Sequence, residues 1–230
     1  MNDAAIVTGA SSGIGLEISK MLCRRGYEVF GIGRNFDPAH ESDHFHPIVC
    51  DILDTDNLCD TVKKIAAQYH LSVLVNNAGT AYYGLHEELN ARKIRQMVRT
   101  NLEAPMILTC QLLRTLKKNR GYIINISSVT ANASNPHGCA YGATKAGLSS
   151  FSRSLFDEAR KYGVRVVTIS PDMTQTNLYR NADFKEGEEL ESYLLPEEVA
   201  CAVEYVLTQR DGLVISDITL KPQLHRIARK

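Results

Sequence analysis

Along the 230-residue chain, short β-branched apolar runs alternate with longer amphipathic stretches. The apolar runs Ala4–Thr8, Tyr27–Gly31, His46–Cys50, Ser72–Asn76, Tyr122–Ser127, Arg165–Ser170 and Leu213–Thr219 read as strands. Helical spacing of apolar positions covers Gly13–Arg25, Thr55–Tyr69, Glu87–Lys118, Tyr141–Lys161 and Pro196–Gln209. Pro196-Glu197-Glu198 suits a helix start, because a first-turn proline gives up no needed donor and the acids complement the dipole. Asp54-Thr55-Asp56 works the same way. Strict alternation requires parallel βαβ crossovers, so the expected fold class is α/β, a doubly wound sheet of about seven parallel strands with helices on both faces. No repeat, low-complexity tract or linker divides the sequence, and residues 1–230 are expected to form one domain. Pro38–Ser42 reads as a surface loop. The polar stretch at about 172–195 follows a strand's carboxyl end and reads as a lid.

Hydrophobic residues make up 44% and charged residues 23%, which argues against disorder. Lys plus Arg is 26 and Asp plus Glu is 26, so the chain lacks the field that gathers nucleic acid or anionic membrane. Neither is an expected partner. The six cysteines form no CxxC pair and have no histidine at zinc-like spacing, so they read as reduced, mostly buried thiols with no metal site. His44 and His46 share a strand face without an evident third ligand. The chain does not open on a basic segment followed by an apolar one, and no apolar run approaches the roughly 18 residues that span a bilayer. A cytoplasmic protein is expected.

The first strand leads into Thr8-Gly9-Ala10-Ser11-Ser12-Gly13-Ile14-Gly15, which opens a helix. Gly9 suits the tight turn, Gly13 lets backbone approach a pyrophosphate, and Gly15 lets the helix pack against the sheet. Ser11, Ser12 and Ile14 complete this candidate nucleotide site beside a helix N-terminus rich in free N–H groups. The end of the second strand distinguishes the two nicotinamide dinucleotides. Gly31-Ile32-Gly33-Arg34-Asn35 carries no acid for a ribose 2′-hydroxyl, whereas the Arg34 guanidinium suits a 2′-phosphate. The expected cofactor is NADP(H).

These motifs, taken together over residues 4 to about 209, resemble the short-chain dehydrogenase/reductase family of the ordinary, non-extended kind. Thr8 to Gly15 is similar to its TGxxxGxG turn, and Asn76-Asn77-Ala78-Gly79 to its NNAG segment. The resemblance implies a Rossmann-type fold in which Asp51, followed by Ile52, holds the adenine amino group. It implies catalytic roles for Asn101, Ser128, Tyr141 and Lys145, the last two being the YxxxK pair. Tyr141 and Lys145 lie four apart and so share a helix face. A nearby ammonium, with the positive nicotinamide of the oxidised cofactor, is expected to favour the phenolate. The family's serine precedes its tyrosine by thirteen residues, which selects Ser128 and leaves Ser127 packed or bonded to backbone. Lys145 would also grip the nicotinamide ribose. Asn101 would distort its helix and hold a water that relays protons from the lysine.

The sequence also departs from the family pattern. Pro171-Asp172-Met173-Thr174-Gln175-Thr176 has aspartate where the family usually has glycine. Pro171, Thr174 and Thr176 remain candidates for cofactor contact, while Asp172 either alters the backbone or faces substrate. Tyr82, Tyr83, Tyr179, Arg180 and Phe184 are either substrate walls or lid surface. His137 either touches substrate or caps the helix before Tyr141. The usual Asp-Gly-Gly finish is absent. By resemblance, helices Glu87–Lys118 and Tyr141–Lys161 would form a homodimer or homotetramer, with Ala140, Ala143, Ala146, Gly147 and Phe151 offering a close-packed surface. The expected activity is hydride transfer between NADP(H) and a carbonyl or secondary alcohol of a small substrate, whether a 3-hydroxy acid, another small ketone or a hydroxysteroid-like molecule. The alternative is a non-catalytic NADP-binding regulator on the same fold.

Overall fold

The computed structural model describes residues 3–38 and 42–230, so Ala39, His40 and Glu41 of the expected surface loop lie outside the described residues. Among the described residues, seven strands form one parallel sheet: β1 (Asp3–Thr8), β2 (Glu28–Gly33), β3 (Phe45–Val49), β4 (His70–Asn76), β5 (Tyr122–Ile126), β6 (Arg165–Pro171) and β8 (Asp217–Leu220). Their order is β3-β2-β1-β4-β5-β6-β8, so the chain reverses direction of growth between β1 and β4. In such sheets ligands bind at the strands' carboxyl ends beside that reversal.

Side-chain alternation builds two cores. Ala5 and Val7 of β1 join Val73, Ile124 and Val167 beneath α1 (Gly13–Arg24) and α6 (Pro196–Leu207). Ala4 and Ile6 point the other way, toward Leu58, Leu108, Leu112 and Leu155 of α2 (Thr55–Gln68), α4 (Ala104–Asn119) and α5 (Cys139–Ala159). Strands buried on both faces explain the near-continuous apolar runs in the sequence. Both expected helix starts are satisfied. Asp54 accepts from the Asn57 N–H at 3.3 Å, and Glu198 accepts from the Leu195 N–H at 2.8 Å.

Most element boundaries shift by one or two residues, and three differences have a clear cause. Tyr27 belongs to the turn closing α1, where its N–H donates to the Leu22 C=O, and β2 instead continues to Gly33 to pair with Val49. The last sheet strand starts at Asp217, the first residue with a partner on β6. The expected helix Glu87–Lys118 is broken. Asn90 caps a short α3 (Ala91–Val98) by accepting from Lys93 N–H, then a π turn over Arg99–Glu103 leads into α4. Pro105 supplies the reason. It lacks an N–H, so no α-type bond from position 105 can reach the Asn101 carbonyl.

A second, two-stranded antiparallel sheet was not foreseen. It joins β7 (Phe184–Glu186), within the 172–195 segment, to β9 (Ile227–Arg229). Three-residue strands carry little periodicity, which left both unmarked in the sequence.

Candidate active site

The cleft at the carboxyl end of the sheet starts with the turn after β1. Gly9 and Gly13 hold φ values of 67° and 54°, in the left-handed region that glycine enters without strain. Ser12, the α1 N-cap, makes no side-chain cap bond, so the first amides of α1 are left to whatever enters the cleft. Gly15 does not line the cleft. A Cβ there would lie 2.2 Å from the Gly9 carbonyl, so its part is the close packing of α1 on the turn. Thr8 ties β1 to β4: its hydroxyl donates to Val75 C=O at 3.3 Å and accepts from the Asn77 and Ala78 N–H groups, each at 3.0 Å. Asn77 answers by donating to the Thr8 and Gly9 carbonyls at 2.9 and 3.3 Å.

Around this turn the cleft collects Ser11, Ser12, Ile14, Arg34, Asp51, Ile52, Ala78 and Gly79. Arg34 is exposed at the β2 end, and a Cβ on Gly33 beside it would fit only tightly, 3.0 Å from the Phe36 ring and 3.2 Å from the Ser11 Cβ. Asp51 accepts from the Leu53 N–H at 2.9 Å through one oxygen. Opposite, Pro171, Thr174 and Thr176 line the wall that follows β6. Thr176 sits over the helix start, with its methyl 3.0 Å from a Cβ built on Gly13. Glycines at the two left-handed positions of the turn and uncapped helix amides beyond it fit the phosphates of a dinucleotide, with the Arg34 guanidinium one strand away.

The far end of the cleft holds the candidate chemistry. Ser128 ends β5, and its Oγ accepts from the Thr130 N–H at 3.2 Å and hydroxyl at 3.0 Å. With both acceptor positions used, its own O–H is left to donate. Ser127 faces the other way, donating to the Lys145 C=O at 3.2 Å and sharing a 2.8 Å bond with Ser149. Tyr141 is buried on the first turns of α5; burial pushes its phenol up to about 12, and a hydrogen bond with Ser128 pulls the other way. Lys145 donates to the Ile126 C=O at 2.8 Å with its Nζ 5.8 Å from the Tyr141 ring centre. Burial lowers that ammonium to about 8. Within the protein alone, burial is the largest influence on both groups.

The depressed ammonium has a consequence for stability. Because the folded pKa lies below the ordinary 10.5, the unfolded chain holds the extra proton between about 8 and 10.5. Lys145→Met, which keeps the volume and removes the buried charge, is expected to melt several degrees higher at pH 7. It forfeits the Ile126 bond, worth about 1 kcal/mol, so the gain is partial. The advantage should shrink as pH rises through that window, when the wild-type ammonium is neutralised. Melting curves at pH 7 and pH 10 check both signs.

Asn101 is fully buried beneath the cleft rather than lining it. Its amide donates to the Thr80 C=O at 2.9 Å and the Thr144 hydroxyl at 3.0 Å, and its oxygen accepts from the Thr80 N–H at 2.9 Å. Both side-chain donors are used in pinning the π turn to the loop after β4 and to α5. Asp172 adopts no left-handed backbone; among the described residues only Arg120 and His137 do so without being glycine. Its carboxylate accepts from the Met173 N–H at 2.8 Å and lines the cleft. His137 does not cap α5, whose N-cap is Gly138 with no side-chain bond.

The substrate side is aromatic. Tyr83 lies 6.0 Å from Tyr141, 6.0 Å from Tyr179 and 4.9 Å edge-on from Phe184, ring centre to ring centre. Burial raises the Tyr83 and Tyr179 phenols well above their usual range. Tyr82 turns away and donates to Gln96 at 2.9 Å. Leu178 and Arg180 also line this end, both within the stretch 177–184 that the sequence assigns to the pocket. His44 and His46 both meet the Glu28 carboxylate, at 3.0 and 2.8 Å, away from the cleft. Of the residues named for an oligomer surface, Gly147 faces Leu102 and Phe151 packs on the core of its own chain.

The chain was compared with known proteins. The family model for short chain dehydrogenase matches residues 3–187. An uncharacterized oxidoreductase of Staphylococcus epidermidis is 32% identical over 225 residues, covering 95% of this chain and 96% of the relative. Serine 3-dehydrogenase of Agrobacterium fabrum is 33% identical over 238 residues, covering 96% and 94%. An alcohol dehydrogenase of the archaeon Thermococcus sibiricus, solved with 5-hydroxy-NADP, superposes with a TM-score of 0.86 at 24% identity over 98% of both chains. A metagenomic short-chain oxidoreductase solved with NADP gives 0.82 at 27% identity, covering 96% and 98%. With the family model spanning most of the sheet and its crossovers, the chain belongs to the short-chain dehydrogenase family of oxidoreductases.

Proposed function

We propose that the protein is an NADP(H)-dependent reductase or dehydrogenase of small carbonyls and secondary alcohols, and that residues 172–195 act as its lid on a single catalytic domain. One observation carries the reading: Ser128, Tyr141 and Lys145 meet, all buried, at the end of a cleft whose other end is a helix N-terminus and Arg34. A bound nicotinamide supplies or accepts the hydride. Ser128, its lone pairs already occupied by Thr130, donates its O–H to the substrate oxygen where charge develops. Tyr141, held protonated by burial, gives its proton to that oxygen in reduction and takes one in oxidation. Lys145 keeps N–H groups beyond the Ile126 bond with which to hold the ribose hydroxyls. Asn101 positions the loop at Thr80 through its side chain.

The serine 3-dehydrogenase relative supports a small hydroxylated substrate bearing a carboxylate, for which Arg180 at the cleft mouth is the cation. The NADP-bound relative at 27% identity supports NADP over NAD. A homodimer or homotetramer fits the family. The test is NADPH oxidation across a panel of 3-keto acids, small ketones and keto-steroids; a panel with no turnover in either direction overturns the reading. The cofactor assignment is checked separately. Arg34→Ala is expected to weaken NADPH by roughly 10- to 100-fold, from loss of a charge-assisted phosphate bond, with little change for NADH. Equal weakening of both would reject it.

A further inference from the structure

Residues Leu224–Lys230 run across the outside of the 172–195 segment as a strap. Strand β9 pairs with β7 in the register Phe184↔Arg229, Lys185↔Ala228 and Glu186↔Ile227. At one end the Lys230 N–H donates to the Asp183 C=O at 2.9 Å, and its Nζ to the Tyr179 C=O at 2.6 Å. At the other, the Leu224 N–H donates to the Glu191 C=O at 2.9 Å and Arg226 forks the Glu189 carboxylate at 2.6 and 2.7 Å. Between them Gly187 has no room for a side chain: a Cβ would stand 2.9 Å from the Ser192 hydroxyl and 3.1 Å from the Arg226 carbonyl.

What the strap grips is informative. Tyr179 and Phe184, among the residues whose backbones it holds, carry the rings that close on Tyr83, which in turn abuts Tyr141. Neither belongs to the seven-stranded sheet, and a two-stranded ribbon of three residues a side is marginal by itself. The height of the aromatic wall over Tyr141 therefore depends on the strap's contacts. The exposed Arg226–Glu189 pair contributes little of this, whereas the backbone ladder, the Lys230 bonds and the tight Gly187 approach define position.

We propose that Leu224–Lys230 are positioning residues that fix the depth of the substrate pocket above Tyr141 and so restrict the reaction to small carbonyls. The proposal rests on the catalytic reading above, and its test includes a measurement independent of turnover. In an antiparallel ladder the donating N–H groups recur every second residue, so Ala228 donates toward Lys185 as Lys230 does toward Asp183. Ala228→Pro removes that donor. Gly187→Ala presses the strap outward by a milder route, and serves if the proline variant does not fold.

In either variant, hydrogen exchange at Phe184–Glu186 should accelerate by about tenfold or more as the ribbon opens. The kcat/KM ratio of a bulky aryl ketone to a small 3-keto acid should rise by about tenfold, chiefly through a higher KM for the small substrate. NADPH affinity should stay within about twofold, since no strap residue lines the nucleotide end. Faster exchange with an unchanged ratio would overturn the proposal, as would substrate and NADPH affinity falling together. If no substrate is turned over, the catalytic reading fails and the exchange arm decides alone: unaltered exchange at Phe184–Glu186 rejects the strap.

Discussion

Tyr141→Phe is expected to lower turnover by roughly 10²- to 10⁴-fold, the usual worth of a positioned acid–base group, while NADPH still binds. The variant removes one hydroxyl from a buried residue whose ring contacts remain, and Ser128 keeps both bonds from Thr130. Cofactor contact and fold should therefore survive. The pH profile carries the sharper information. Burial holds the phenol protonated well past neutrality, up to about 12 before a cofactor's charge acts on it, so the protein alone supplies the acid form that reduction needs. Reduction should be fastest at neutral pH and decline as the phenol ionises; oxidation, which needs the phenolate, should climb with pH. In Tyr141→Phe the residual rate should lose both slopes. Stopped-flow NADPH oxidation from pH 6 to 10 separates these outcomes, and a variant retaining full turnover or the wild-type profile would refute the role.

Most of the fold was legible because doubly wound sheets write strong signals. Strands such as Ala4–Thr8 and Val166–Ser170 are buried on both faces and read as largely apolar, β-branched runs, and the glycine turn follows directly on the first. The candidate site was legible for a related reason: its residues stand at strand ends and helix starts, where spacing fixes position. Legibility failed where geometry depends on a missing donor or on distant partners. Helical spacing alone continues across the π turn at Asn101 and conceals it; the distortion was expected only from the family resemblance, although Pro105, four residues on, supplies a cause. Strands β7 and β9 pair across some forty residues and have no local period, so nothing in sequence joins Phe184 to Arg229. Spacing puts Tyr141 and Lys145 on one helix face but says nothing of burial, the largest influence on both groups in the protein alone.

Gly15→Ala is expected to be the most damaging single methyl in the molecule. Its Cβ would lie 2.2 Å from the Gly9 carbonyl oxygen and 2.4 Å from the Asn77 amide nitrogen. The first neighbour is backbone of the turn itself. The second is held by bonds to Thr8 and Gly9, and the Asn77 main chain is tied to the Thr8 hydroxyl. Neither can retreat by a rotamer change. Relief requires moving α1 away from the turn, which breaks the Asn77 bridge between β1 and β4. Overpacking of this kind costs about 1–3 kcal/mol and sometimes more, which for a chain of this length lowers Tm by roughly 2–12 °C. The same displacement shifts the uncapped α1 amides relative to Arg34, so NADPH affinity should fall by about tenfold or more even where the variant stays folded. Gly26→Ala is the matching control. It lies past α1 with nothing within 4 Å of its Cβ, and its φ of 81° makes it a test of backbone strain without collision. Calorimetry and NADPH titration of the two variants should show Gly26→Ala costing stability alone and Gly15→Ala costing both. Unchanged NADPH affinity in Gly15→Ala would mean that α1 packing does not set the phosphate site.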